Sequence, residues 1–237
     1  METVKIGIIG AMEEEVTSLK EAAIIGKTTK IAAMEFCEGM LGEKQEVVIV
    51  QCGMGKVNAG ICANTLINQF GCGIIINTGV AGSLDARLDI GDIVVSTDAV
   101  QHDFTVEAIG FAKAEIPYTG LYAFPSDDVL QKKAVEAVKA VAPEIKVFEG
   151  RVCSGDQFIS SKEQKDAIIA DFGGLCCEME GAAVAQACYL NGTPFIIIRA
   201  ISDKPDGSGA VDFNEFKETA AARCAEIVRY MIENLNR

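Results

Sequence analysis

The chain has 237 residues, 49% of them apolar, with 21 basic against 34 acidic side chains and a formal net charge of −13. A surface of that sign repels nucleic-acid phosphates and anionic lipid heads, so neither a nucleic acid nor a membrane is an expected partner. Nine cysteines, an odd number without C-x-x-C spacing, read as reduced, buried thiols, and no apolar run reaches the roughly 18 residues of a membrane span, so a cytoplasmic protein is expected.

The opening METVKIGIIG enters a strand at once, without the successive regions of a signal peptide. Runs of β-branched and apolar residues bounded by Gly, Asp or Asn predict strands at 4–10, 46–52, 73–78, 92–96, 147–154 and 194–201. Most lack alternation, the pattern of strands covered on both faces. Helices are predicted at 56–70, 127–141, 180–191 and 213–236, and Ser160-x-x-Glu163 and Asp212-x-x-Glu215 fit capping boxes. With no linker, charge block or repeat to divide it, residues 1–237 read as a single α/β domain: a central twisted mixed sheet flanked by α-helices. Ligands of such sheets gather where strands end.

Five stretches offer polar or small residues at strand ends. The first strand runs into Met12 and then Glu13, Glu14 and Glu15; acidic residues there complement a helix dipole, yet three in a row exceed what a cap needs. Their charge and the spacing of the preceding glycines argue against a dinucleotide site. Gln51-Cys52-Gly53-Met54-Gly55-Lys56 reads either as a phosphate cradle or as a tight strand-to-helix turn, and the absence of Walker spacing favours the turn. In Asn77-Thr78-Gly79-Val80-Ala81-Gly82-Ser83, small residues after a buried strand would let a ligand approach the backbone. Glu178-Met179-Glu180 and Arg199-Ala200-Ile201-Ser202-Asp203 offer carboxylates at strand ends; these are either solvated acids or site residues, and Arg199, inside an apolar run, needs a carboxylate partner.

Taken together, GIIGAMEEEV, GMGKVNA, NTGVAGSL, GDIVVS, SGDQFI, CEMEGAAVA and RAISDKPD resemble the 5′-methylthioadenosine/S-adenosylhomocysteine nucleosidases of the purine nucleoside phosphorylase-like superfamily. The resemblance runs from Lys5 to about Phe216. It implies hydrolysis of a ribosyl C–N bond without metal or other cofactor, with Asp203 protonating N7 of adenine and Glu15 activating water. It further implies that Glu180 holds the ribose hydroxyls beside Met179, with Glu178 nearby and Val80, Ala81 and Gly82 along the substrate. Phe158 would stack on the base, the backbone of Ile159 would pair with its edge, Ser202 would orient Asp203, and Arg199 would lie behind Glu180. Met12, Met54, Val106, Ile109, Pro117 and Phe213 match an apolar pocket for the 5′-thio tail. In the family the 106–117 wall comes from the partner subunit, so a homodimer is implied.

Val80 stands where many relatives carry Ser, Ile109 replaces a common Phe, and Lys204-Pro205 replace smaller residues; these bear on tail preference, not on reaction type. The lone histidine, His102, has no partners for a triad or a metal site and reads as peripheral. Rival readings are a phosphate-dependent phosphorylase, a futalosine-type nucleosidase with a larger 5′ tail, and a non-catalytic nucleoside-binding protein.

Overall fold

The computed structural model describes residues 4–42, 44–204 and 209–235. In chain order the elements are β1 (Ile6–Gly10), α1 (Glu13–Ala22), β2 (Ile24–Ile31), β3 (Met34–Leu41), β4 (Gln45–Gln51), α2 (Lys56–Asn68), β5 (Ile74–Ser83) and β6 (Ile93–Gln101). A 3₁₀ turn at Glu107–Ile109 follows, then β7 (Ala123–Pro125), α3 (Asp128–Val141), β8 (Val147–Ser154), α4 (Lys162–Phe172), β9 (Cys176–Glu178), α5 (Gly181–Asn191), β10 (Phe195–Asp203) and α6 (Gly209–Glu233).

The six predicted strands are present, and two of them run on well past their predicted ends. β5 continues to Ser83 and β6 to Gln101 because the small, polar tails NTGVAGS and STDAVQ still find ladder partners in β10, β8 and β7. The β2–β3 hairpin was not expected. β2 is mostly exposed, so IIGKTTKI lacks a buried apolar signature, and its pairing with β3 supplies what burial does not.

Helix starts follow local chemistry. Asp127 caps α3, its carboxylate accepting from the amides of Val129 and Leu130 at 2.9 Å each. Two predicted caps are corrected. Ser161, not Ser160, caps α4 by accepting from the Gln164 amide at 3.2 Å. Asp212 falls inside the first turn of α6, which already begins at Gly209, and there it complements the dipole instead of capping. Pro205 and Asn236 lie outside the described residues.

All strands join one mixed sheet. β1 pairs in parallel with β4 and β5, and the β4–β3–β2 meander extends one side. On the other side β10 pairs in parallel with β5 and antiparallel with β6. Because β6 leads through β8 and β9 back to β5, these five strands close into a ring. Alternation along β10 divides the core: Ile196, Ile198 and Ala200 face α1, α3 and α6, whereas Phe195, Ile197 and Ile201 face α2 and α5. A smaller cluster, with Ile168 and Phe172 of α4 packed on Leu84, Val100 and Cys153, seats α4 against the ring.

Candidate active site

The chain leaves β1 through Ala11 and Met12 into α1, and Glu15, the third helical residue, folds back on this turn. Its Oε2 accepts from the amides of Ala11 at 2.7 Å and Met12 at 3.0 Å, a reach typical of a carboxylate in the first helical turn. Its Oε1 does something a cap does not require, accepting from the Val80 amide on β5 at 2.9 Å. The three consecutive glutamates therefore part company. Glu13 is exposed, Glu14 pairs with Lys217 of α6 at 3.1 Å, and Glu15 is buried. Burial raises the pKa of Glu15, opposed by the charge of Arg199 and by the three amides. A Cβ on Gly79 would collide with both the Glu15 carboxylate and the Arg199 guanidinium, so the missing side chain there leaves room for both groups over β5.

Asp203 arrives from the far end of the chain. The β10–β5 register steps from Ile201↔Ala81 to Asp203↔Gly82, leaving Ser202 as one extra residue whose bulge re-aims the strand end. Ser202 Oγ donates to Asp203 Oδ1 at 3.1 Å, and Lys165 Nζ donates to Oδ2 at 2.8 Å. Burial raises the pKa of Asp203, while Lys165 and Ser202 pull it back and Asp212 pushes it further up. Lys165 escaped the sequence reading because KEQKD looks like a solvated helix face. The available signal is spacing: Lys165, Ile168 and Phe172 fall on one stripe of α4, which puts a lysine on its buried side.

Between these acids lies the turn from β9 into α5. Glu178 accepts from the amides of Glu180 at 3.1 Å and Gly181 at 2.8 Å, and from the Ser154 hydroxyl, and pairs with Arg199. It is thereby spent on holding the start of α5. Arg199 also donates to Asn77 Oδ1 at 2.6 Å, and Asn77 in turn donates to the Ile9 carbonyl at 3.0 Å. Removing one member of such a buried pair costs about 3–5 kcal/mol. Glu180 Oε1 accepts from the Gly55 amide at 2.8 Å, and burial together with the adjacent Glu178 charge pushes its pKa up to about 7. Asp156 takes the next amide, that of Lys56, at 2.7 Å, so the turn at 51–56 presents its N–H groups to carboxylates.

These groups converge on one pocket. Met12, Glu15, Met54, Val80, Ala81, Gly82, Phe158, Ile159, Glu178, Met179, Glu180, Ser202, Asp203 and Phe213 all line it, joined by Ala11, Gln157 and Cys177, which the sequence did not single out. Phe158 and Phe213 meet edge to face with centroids 5.5 Å apart. The described lining carries four carboxylates and neither lysine nor arginine. Arg199 stands behind this wall. Val106, Ile109 and Pro117 do not reach the pocket of their own chain, and Ile109 is 72% exposed. His102 also lies outside it, its Nε2 buried without a partner among the described residues.

A sheet closed into a ring, with strand-end carboxylates around an apolar pocket, defines a phosphorylase-superfamily protein, and the sequence model of that superfamily matches residues 5–233. A curated 5′-methylthioadenosine/S-adenosylhomocysteine nucleosidase of Staphylococcus aureus is 42% identical over 97% of this chain and 100% of its own length. The Neisseria meningitidis nucleosidase of that name, solved with methylthio-immucillin-A, superposes with a TM-score of 0.92 at 36% identity, covering 97% of this chain and 98% of that one. Futalosine hydrolase of Helicobacter pylori superposes with a TM-score of 0.91 at 32% identity, covering 98% of each chain. The chain belongs to the 5′-methylthioadenosine/S-adenosylhomocysteine nucleosidase family.

Proposed function

We propose that the protein hydrolyses the N-glycosidic bond of 5′-methylthioadenosine and S-adenosylhomocysteine, releasing adenine and the 5′-thioribose product. The observation that carries this reading is the presence of two buried carboxylates of different environment, Glu15 and Asp203, on one largely apolar pocket. As the bond from C1′ to the base breaks, its electron pair moves onto the purine and the ribosyl group becomes oxocarbenium-like. Asp203, with its pKa raised by burial, donates a proton to N7; Glu15 takes the proton of the water whose oxygen adds to C1′. Glu15 is suited to an anionic role by its three amide donors and by Arg199. Glu180 accepts from the ribose hydroxyls, Phe158 stacks on adenine beside Ile159, and Met12, Met54 and Phe213 receive the thio tail.

A homodimer completes this reading. α2 and α5 leave Val57, Ile61 and Leu190 exposed, a partly apolar face that a second copy would cover. Such a copy would offer its Val106, Ile109 and Pro117 to the neighbour's tail pocket. A reducing, cytoplasmic setting suits cysteines that are all free and buried.

The direct test is turnover of both nucleosides in ¹⁸O-labelled water. Label at C1 of the released sugar is expected, and a product without label would overturn the hydrolytic assignment.

A further inference from the structure

Lys165 is completely buried, and its Nζ makes two contacts, to Asp203 Oδ2 at 2.8 Å and to the Lys204 carbonyl at 2.7 Å. A lysine is among the costliest side chains to bury, and an apolar residue at this place on α4 would join Ile168 and Phe172 in the same stripe at no such cost. The ammonium is instead directed at one oxygen of the strand-end carboxylate. Oδ1 is left to the Ser202 hydroxyl, which lies 3.1 Å away and also reaches the Ala81 carbonyl at 3.3 Å.

That division makes the two oxygens chemically different. An ammonium has donors and no acceptor, so it holds Oδ2 as an acceptor, and a proton there would compete with it for that oxygen's lone pairs. A proton on Oδ1 meets no such conflict, because the serine hydroxyl can turn to donate to Ala81 while its oxygen accepts. We propose that Lys165 is the positioning residue of the acid: by occupying Oδ2 it confines the transferable proton of Asp203 to Oδ1, and its charge neutralises the carboxylate left after that proton has gone to the departing base. The proposal rests on the reading of Asp203 as the acid. In the step it describes, the O–H bond at Oδ1 breaks as N7–H forms, and the electron pair of the glycosidic bond passes to the purine. The resulting carboxylate then faces the ammonium in the same hydrogen bond.

Among the described residues, the other titratable neighbours of the pair are Asp212 on α6, whose charge pushes the Asp203 pKa up, and Cys177 on β9, whose thiol is held far from ionisation by burial. Lys165 on α4 is thus the cation that opposes burial at Asp203. Replacing it with a neutral side chain raises the pKa of the acid, so the alkaline limb of kcat/KM, where the free enzyme loses this proton, moves to higher pH.

The test compares the full chain with Lys165→Met, Lys165→Arg and Asp203→Asn variants, measuring kcat, KM and pH profiles with methylthioadenosine. For Lys165→Met the alkaline limb should rise by about one pH unit or more, while kcat falls about tenfold or more and KM stays within about threefold. Lys165→Arg, which keeps charge and donors, should restore the limb. If Lys165→Met does not fold, Lys165→Gln, neutral but still a donor, gives the same reading. An alkaline limb and kcat unchanged in the neutral variant, with Asp203→Asn inactive, would overturn the role of Lys165 and leave Asp203 as the acid. An active Asp203→Asn enzyme would overturn the acid itself, and this inference with it.

Discussion

The amide of Gly55 donates to Oε1 of Glu180 across 2.8 Å, tying the start of α2 to the start of α5. A helix N-terminus is otherwise a natural anion site. Here Glu180 and Asp156 already take its leading N–H groups. Phosphate, which would bring a further negative charge among the four carboxylates of the lining, is expected neither to accelerate turnover nor to appear in the product. Adenine release should proceed in phosphate-free buffer at the rate seen with phosphate; ribose 1-phosphate chemistry, detected as a 5-thioribose 1-phosphate, would contradict this.

Asp203→Asn should retain nucleoside binding and lose about 10²–10⁴-fold in kcat, since an amide can bond to N7 but cannot give up the proton. Glu15→Gln should lose as much for the opposite reason. Glu13→Gln, at an exposed position, should cost no more than about 1 kcal/mol of stability and leave turnover intact. Steady-state kinetics on the three variants separate chemistry from bulk acidity; equal damage at Glu13 and Glu15 would refute the assignment.

Glu180 links the pocket to stability. Its pKa in the folded protein is about 7 against 4.5 for the free group, so between these values the native state holds a proton that the unfolded chain releases. This group's contribution therefore falls as pH rises through that window. Glu180→Gln removes the slope, and its stability should match the parent near pH 4.5 and exceed it at pH 8 by at most about 3 kcal/mol. Thermal melts of both proteins across that range give the answer, and parallel curves would show that Glu180 is not the source.

The face of α2 and α5 bearing Val57 and Leu190 predicts the oligomeric state. At micromolar concentration the protein should sediment as a dimer. Val57→Asp combined with Leu190→Asp should give a folded monomer whose KM for methylthioadenosine rises about tenfold, the effect of losing one apolar wall of a tail pocket. A monomeric parent enzyme of full activity would rule the arrangement out.

The layout was largely legible because the central strands contain apolar runs, as in VKIGIIG of β1 and PFIIIRAI of β10, and polar residues follow at their ends. β2 was illegible because edge strands bury little, and β9 because three residues are too few to carry a period. Among the residues of the pocket, Glu180 and Asp203 stood out as charges at strand ends, and Glu15 as one of three such glutamates, told from Glu13 and Glu14 only by the family resemblance. Arg199 stood out as a charge inside an apolar run. Lys165 was hidden by its hydrophilic neighbours, since a helix that is polar in composition conceals which one of its charges points inward. The ring closure was equally hidden, because β10 meets β5 and β6 through pairings that no local pattern encodes.

β10 is the last strand of the chain to be synthesised, yet it sits in the middle of the sheet. Until residues 195–203 have left the ribosome, β5 and β6 both present open hydrogen-bonding edges, the kind of surface on which other strands add and chains aggregate. A nascent chain is therefore most exposed just before it is finished. On the proposed assignment of the acid it also lacks activity until then, because the strand that seals the two edges carries Asp203 at its tip.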